Sequence, residues 1–150
     1  MNKFRKAQNK GKDSGLKLLH EGKTIRIKAL GYSMYPSIRP GCLILIEPLK
    51  VKGLPVPGEI IAIQRENGLI VHRLSRIIND KGVPSYIARG DSNSRADEPV
   101  KIGMIAGRIV RAEATGENQV PANIRINTRP NYVCNRLRVI GIILWKKISR

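Results

Sequence analysis

Aromatic side chains are nearly missing from this chain. One Phe and one Trp stand in 150 residues, and Phe, Trp and Tyr together make up 4%. Binders of single-stranded nucleic acid are built on stacked rings, so that class is not favoured, although it is not excluded. Cysteine is as scarce. Cys42 and Cys134 are too few and too far apart for a zinc site or a CxxC redox pair, and no cofactor or metal is expected. Cys42 heads an apolar run and reads as a small buried hydrophobe. Long apolar runs are missing too: Val139 to Trp145 counts seven residues, against the roughly 20 of a spanning helix. Met1 to Lys12 carries five Lys and Arg residues with no apolar stretch behind them, which fits neither a secretory signal peptide nor a membrane anchor. Acid is the last shortage. Against 28 basic residues there are 11 acidic ones, a net charge of +17, which favours polyanionic surfaces: nucleic acid, anionic lipid or an acidic peptide.

What is present is β-branched and apolar. The hydrophobic share is 41%, ordinary for a globular protein and against wholesale disorder. Ile and Val dominate it, which argues for sheet. A basic tail over 1–12 precedes a single expected domain over 13–150. Asp13-Ser14 offers an N-cap for a short helix through Leu16, Leu18 and Leu19 that ends at Gly22. Thr24 to Ala29 alternates with period two as a half-buried strand does. Leu43 to Ile46 is continuously apolar and reads as a strand buried on both faces. Glu59–Gln64 and Leu69–Ile78 are joined by Arg65-Glu66-Asn67-Gly68, a hairpin signal. Asn79 to Gly82 turns the chain into a strand over Ser85–Arg89. Met104–Ala114 is a last strand, with Gly103 and Gly107 as bulge or close-approach points. After a loop over Gly116–Pro130, Tyr132–Ile148 shows helical spacing. The expected class is mostly β (α+β), antiparallel, with a short N-terminal helix and a C-terminal helix.

Gly31-Tyr32-Ser33-Met34-Tyr35-Pro36-Ser37-Ile38-Arg39-Pro40-Gly41 is the stretch the rest is organised around. Pro36 fixes its own φ and biases Tyr35 away from helix, so the backbone must turn sharply. Gly31 and Gly41 bracket the turn where unusual φ angles are cheapest. A hydroxyl on such a turn, beside a strand, is where a nucleophile would be placed; a polar loop between two strands is the plainer alternative. Serine needs a base, and the base needs a group to orient it. His20, in the short helix, reads as a surface residue. His72 lies mid-strand on the face of Ile70 and Leu74, opposite Val71 and Arg73, as a core histidine would too. The polar loop Gly90-Asp91-Ser92-Asn93-Ser94-Arg95-Ala96-Asp97 supplies two carboxylates in a chain poor in acid. Asp91 suits an Asx-turn and Asp97 a helix cap equally well.

Ser33-Met34-Tyr35-Pro36 with Gly41 and its strand, Gly58-Glu59-Ile60-Ile61, Val71-His72-Arg73, and Gly90-Asp91-Ser92-Asn93 with Asp97 stand in the order found in type I signal peptidases. The chain resembles that family over about residues 27–112. Its bacterial branch, like the LexA-type self-cleaving repressors of the same fold, uses a Lys base. His72 makes this chain similar to the His branch of the endoplasmic reticulum, archaea and some sporulation-associated enzymes. The resemblance implies a signal-peptidase/LexA-like fold, Ser33 as nucleophile, His72 as general base and Asp97 as the residue orienting it. Asp91 is then a supporting residue, and the Ser33 and Met34 backbone N–H groups are the oxyanion donors. It implies a serine endopeptidase that removes a leader or signal-like segment from a peptide or protein precursor. Two features depart from the pattern: the family's N-terminal anchor is replaced by a basic segment, and Gly41-Cys42 stands where Gly-Asp is common. A cytoplasmic enzyme in peripheral contact with anionic membrane, through its basic face and the Tyr132–Ile148 helix, fits better. The alternative is a non-catalytic member of the fold, a basic module binding nucleic acid or an acidic partner. A DNA-linked self-cleaving regulator fits less well, because residues 1–22 are too short for a helix-turn-helix.

Overall fold

A computed structural model of the chain describes residues 15–49, 53–66, 68–114 and 129–149. The basic tail, the Asp13-Ser14 cap, Asn67 and residues 116–128 of the expected loop lie outside them. Helix α1 (15–20) is followed by β1 (Ile25–Lys28), β2 (Leu43–Glu47), β3 (Ile60–Arg65), β4 (Gly68–Asp80), β5 (Val83–Arg89), β6 (Ile105–Glu113) and helix α2 (Tyr132–Ile148). All strand pairs are antiparallel, in one six-stranded sheet of order β1-β2-β6-β3-β4-β5. The mostly β, α+β class read from the sequence is the one found.

Turn chemistry sets the registers. β3 and β4 close at the Arg65–Gly68 pair. β4 and β5 close at Asp80–Val83 around Lys81 (φ 52°) and Gly82 (φ 84°), the two left-handed residues that a tight right-twisting hairpin requires. That hairpin extends β4 and β5 past the bounds expected from their apolar residues. Gly22 ends α1 at φ 84° and Gly41 closes the serine turn at φ 93°, whereas Gly31, the other glycine bracketing that turn, has no positive φ.

The strand buried on both faces is β3, not β2. Ile60, Ile61, Ala62 and Ile63 are each at most 2% exposed, whereas in β2 only Ile44 and Ile46 are buried and Leu43 and Leu45 are half-exposed. The reason is topological: β6 inserts between β2 and β3, so β3 lies inside the sheet while β2 neighbours the edge strand β1. Successive residues of β3 feed opposite faces. Ile60 and Ala62 join Leu19, Ile25, Met34, Ile38, Ile44, Ile46 and Ile109 in one cluster. Ile61 and Ile63 join Leu74, Tyr86, Ala88 and Val100 in the other. Each fully buried Ile or Leu contributes about 1.5–3 kcal/mol, so these two layers hold the sheet. Cys42 is buried as expected, and Cys42 and Cys134 are both free thiols.

Gly107 is the close-approach point anticipated for β6, where the β3–β6 register shifts; Gly103 is not, being part of an open 3-10 turn. A methyl group on Gly107 would strike the Glu47 carbonyl of β2 and come within 2.9 Å of Ile46 Cγ2. Gly107→Ala therefore separates two paired strands and is expected to cost about 3 kcal/mol, read as a lower urea midpoint at unchanged slope.

Candidate functional site

Between β1 and β2 the serine turn is closed by Ala29 N–H donating to Cys42 O (2.8 Å) and Gly41 N–H donating to Ala29 O (2.7 Å). Inside it, Tyr35 N–H donates to Tyr32 O and Ile38 N–H to Met34 O, both at 2.9 Å, and the Tyr35–Pro36 peptide is cis. Met34 (4% exposed) and Ile38 (2%) plug the turn into the first cluster. The Ser33 carbonyl is held from the far side by Ser92 N–H (2.9 Å) and Ser92 Oγ (3.2 Å), and that hydroxyl also donates to Tyr32 O (2.7 Å). The backbone N–H groups of Ser33 and Met34 donate to no described residue. Two consecutive donors beside the Ser33 side chain are what an oxyanion site requires.

His72 sits in β4 opposite Ile61, on the face that also carries Leu74, as the alternation predicts. Asp97 is fixed by its own N–H donating to Ala88 O at 2.8 Å, and its Oδ2 lies 2.5 Å from His72 Nδ1. The ring is 6% exposed, so the carboxylate meets it largely out of water. A carboxylate on Nδ1 assigns the proton of the neutral ring to that nitrogen and leaves Nε2 as the acceptor. Asp97, and not Asp91, is therefore the residue that orients the imidazole.

Asp91 has a different partner set. It is 0% exposed and accepts a two-pronged bond from Arg73, Nε to Oδ1 at 2.9 Å and the guanidinium to Oδ2 at 2.8 Å. Ser37 Oγ donates to the same Oδ2 at 2.5 Å, and Asn135 of α2 donates to the Asp91 carbonyl at 3.0 Å. One buried carboxylate thus joins the serine turn to the strand residue next to His72. Planar Arg–carboxylate pairing is the charge-assisted geometry that holds such a joint rigid.

The 90–97 loop, without any hydrophobic period, is well built. Arg89 reaches along it to the carbonyls of Asn93 (2.9 and 3.1 Å) and Ser94 (3.0 Å). Gly90 presses directly on the serine turn, where a Cβ would stand 2.7 Å from Ser33 O. The β4–β5 pairing begins at Arg73–Arg89, so Gly90 follows β5 at the level of His72. One loop therefore touches both residues: Ser92 the Ser33 carbonyl and Asp97 the imidazole, while Gly90 packs on the Ser33 carbonyl. Ser33 Oγ itself makes no hydrogen bond with His72 or any other described residue. The structure joins His72 to Asp97 and holds the Ser33 carbonyl through Ser92 of the same loop, but does not link hydroxyl to imidazole.

Ser33, Met34 and Ile38 also line a groove of about 490 Å³ whose walls are Ile25, Ile27 to Leu30, and Leu69 to Val71. β1 is an edge strand. β4 pairs with β3 over Gly68–Arg73 but with β5 only from Arg73 onward. Among the described residues each wall therefore offers a strand edge without a ladder partner, the template for an added extended peptide. Among the described residues no three His, Cys, Asp or Glu side chains converge as a metal site requires.

Ser37, Arg73, Ser92, Arg89 and Asn135 were not singled out by sequence reasoning. Arg73 had a signal: mid-strand on the face of Val71, a charge must be buried and must find a carboxylate. The others act through contacts 36 or more residues apart in the chain, or through loop carbonyls, and had none. No protein-family model matches the chain, and no curated protein is significantly similar to it.

Proposed function

We propose that this chain is a serine endopeptidase of the kind the type I signal peptidases represent, cleaving a leader or signal-like segment from a precursor. The observation that carries the reading is the His72–Asp97 pair at 2.5 Å, held by the same loop that grips the Ser33 carbonyl. An extended peptide adds between the free edges of β1 and β4 and presents its carbonyl at Ser33. Ser33 Oγ attacks the carbonyl carbon as its proton passes to His72 Nε2, and the oxyanion takes the Ser33 and Met34 N–H groups. The C–N bond then breaks, the imidazolium protonates the leaving amine, and water hydrolyses the acyl ester by the same base. The step requires Oγ within about 2.6–3.2 Å of Nε2 in the substrate complex.

A serine-reactive aryl phosphonate tests this without knowledge of the substrate. The full chain is expected to be labelled at Ser33 alone, Ser33→Ala not at all, and His72→Ala at least about 10⁴-fold more slowly. Folded wild-type protein that stays unlabelled, or equal labelling of all three, rejects the enzyme. The net charge of +17 then favours the second reading, a basic binding module whose affinity for a polyanion falls steeply with salt and ignores Ser33→Ala.

A further inference from the structure

The apolar stripe of α2 faces away from the protein. Val133 (70% exposed), Leu137 (62%), Ile140 (41%), Leu144 (53%) and Ile148 (80%) recur at the spacing of one helix face. Those large side chains stand in solvent while the helix packs by its opposite side. There Asn135 and Val139 are buried, Arg89 stacks 3.7 Å over the Tyr132 ring, and Lys146 Nζ donates to Tyr32 Oη at 2.7 Å. Soluble helices place their stripes the other way round, so something else covers this one.

The flanks say what. At 100° per residue, Arg136 and Lys147 border the stripe on one side and Arg138 on the other, with Trp145 (71% exposed) at its margin. The occupant must be apolar in the middle and anionic at the edges. A second copy of the chain has the same +17 charge and would be repelled, and nucleic acid offers no apolar surface to the stripe. A bilayer carrying anionic headgroups supplies both. At 17 residues the helix is about 26 Å long, and no described helix is long and apolar enough to cross a membrane. It lies flat instead. We propose that α2 docks the protein on an anionic membrane surface through Val133, Leu137, Ile140, Leu144 and Ile148, with Trp145 at the headgroup level. Because the inner side of α2 holds Tyr32, Arg89 and the Asp91 carbonyl, docking fixes the height of the Ser33 groove above the lipid. Lipid binding does not depend on the enzyme reading, and its test uses no catalytic readout.

The full-length chain is titrated with phosphatidylcholine vesicles, with and without phosphatidylglycerol, following co-sedimentation and the emission of Trp145, the only Trp. Binding and a blue shift are expected with the anionic vesicles. Leu137→Asp combined with Leu144→Asp, both at exposed positions, is expected to keep the far-UV circular dichroism and lower the partition coefficient at least about tenfold. Arg136→Gln, Arg138→Gln and Lys147→Gln together are expected to erase most of the preference for anionic lipid, again about tenfold or more. The proposal is overturned by absence of binding, by an Asp variant that binds as well as wild type, or by a lipid-free blue shift that grows with protein concentration. The last result would assign the stripe to a second copy.

Discussion

Asp97→Asn is expected to slow acylation of Ser33 by about 10⁴-fold, some 5.5 kcal/mol of transition-state stabilisation, while leaving the fold intact. The two side chains are nearly isosteric, but an amide facing His72 Nδ1 can turn its NH₂ toward the ring. The imidazole then carries its proton on Nε2, the nitrogen that must accept from Ser33, and the base is lost without any atom moving far. The loss falls on the rate and not on stability, because Asp97 retains 22% side-chain exposure and its backbone bond to Ala88 O does not involve the carboxylate. His72→Ala is expected to be at least as slow, and His72→Ala with Asp97→Asn no slower than His72→Ala alone, since the two act as one unit. Stopped-time labelling with the phosphonate gives the three rates. Wild-type labelling by Asp97→Asn would mean that the 2.5 Å contact is a structural pair and that Ser33 is activated otherwise.

The strands were legible because their chemistry is local. β-branched residues with period two, and Asn-Gly or Lys-Gly turns between them, mark β1, β3, β4 and β5 within a residue or two. The helix α2 was legible from its spacing. What local pattern does not carry is which strand is innermost. Leu43-Ile44-Leu45-Ile46 and Ile60-Ile61-Ala62-Ile63 are equally apolar, and only the insertion of β6 between their strands makes the second the buried one. Nor does an apolar stripe state which way it faces: in α2 the inner side is Asn135 and Val139.

The site divides in the same way. The order of motifs resembling that of type I signal peptidases picked out Ser33, His72, Asp91 and Asp97, where residue chemistry alone left a polar loop, a core histidine, an Asx-turn and a helix cap open. The division of labour between the two aspartates was left open by sequence, since either side chain of a loop can reach either side of a strand. It is settled by alternation in β4. His72 and Arg73 point to opposite faces, Asp97 meets the first and Asp91 the second, and the two carboxylates cannot exchange roles.

Asp91→Ala is expected to destabilise the protein by about 3–5 kcal/mol, because it strands the Arg73 guanidinium, 3% exposed, without its counter-charge. The Ser37 hydroxyl loses its acceptor in the same stroke, which leaves the 3.2 Å bond from the Arg73 guanidinium to Ser37 Oγ to tie the serine turn to β4. Arg73→Met should cost about as much by stranding the carboxylate, while the double variant, with neither charge left, should cost clearly less than the sum. A coupling of about 2 kcal/mol or more, from urea unfolding at constant slope, is the signature of a pair that acts jointly. Additive losses would reduce Asp91 to a packing residue. A joint pair has a further consequence. Ser37 is four residues beyond Ser33, and Arg73 adjoins His72 in the chain, so the Ser37–Asp91–Arg73 chain of bonds ties the Ser33 turn to the strand of His72. The double variant, without that spacer, is then expected to be labelled by the phosphonate more slowly than its measured stability predicts. Recovery of stability together with full labelling would show that the spacing is held by the β4–β5 ladder and the Ser92 bonds alone.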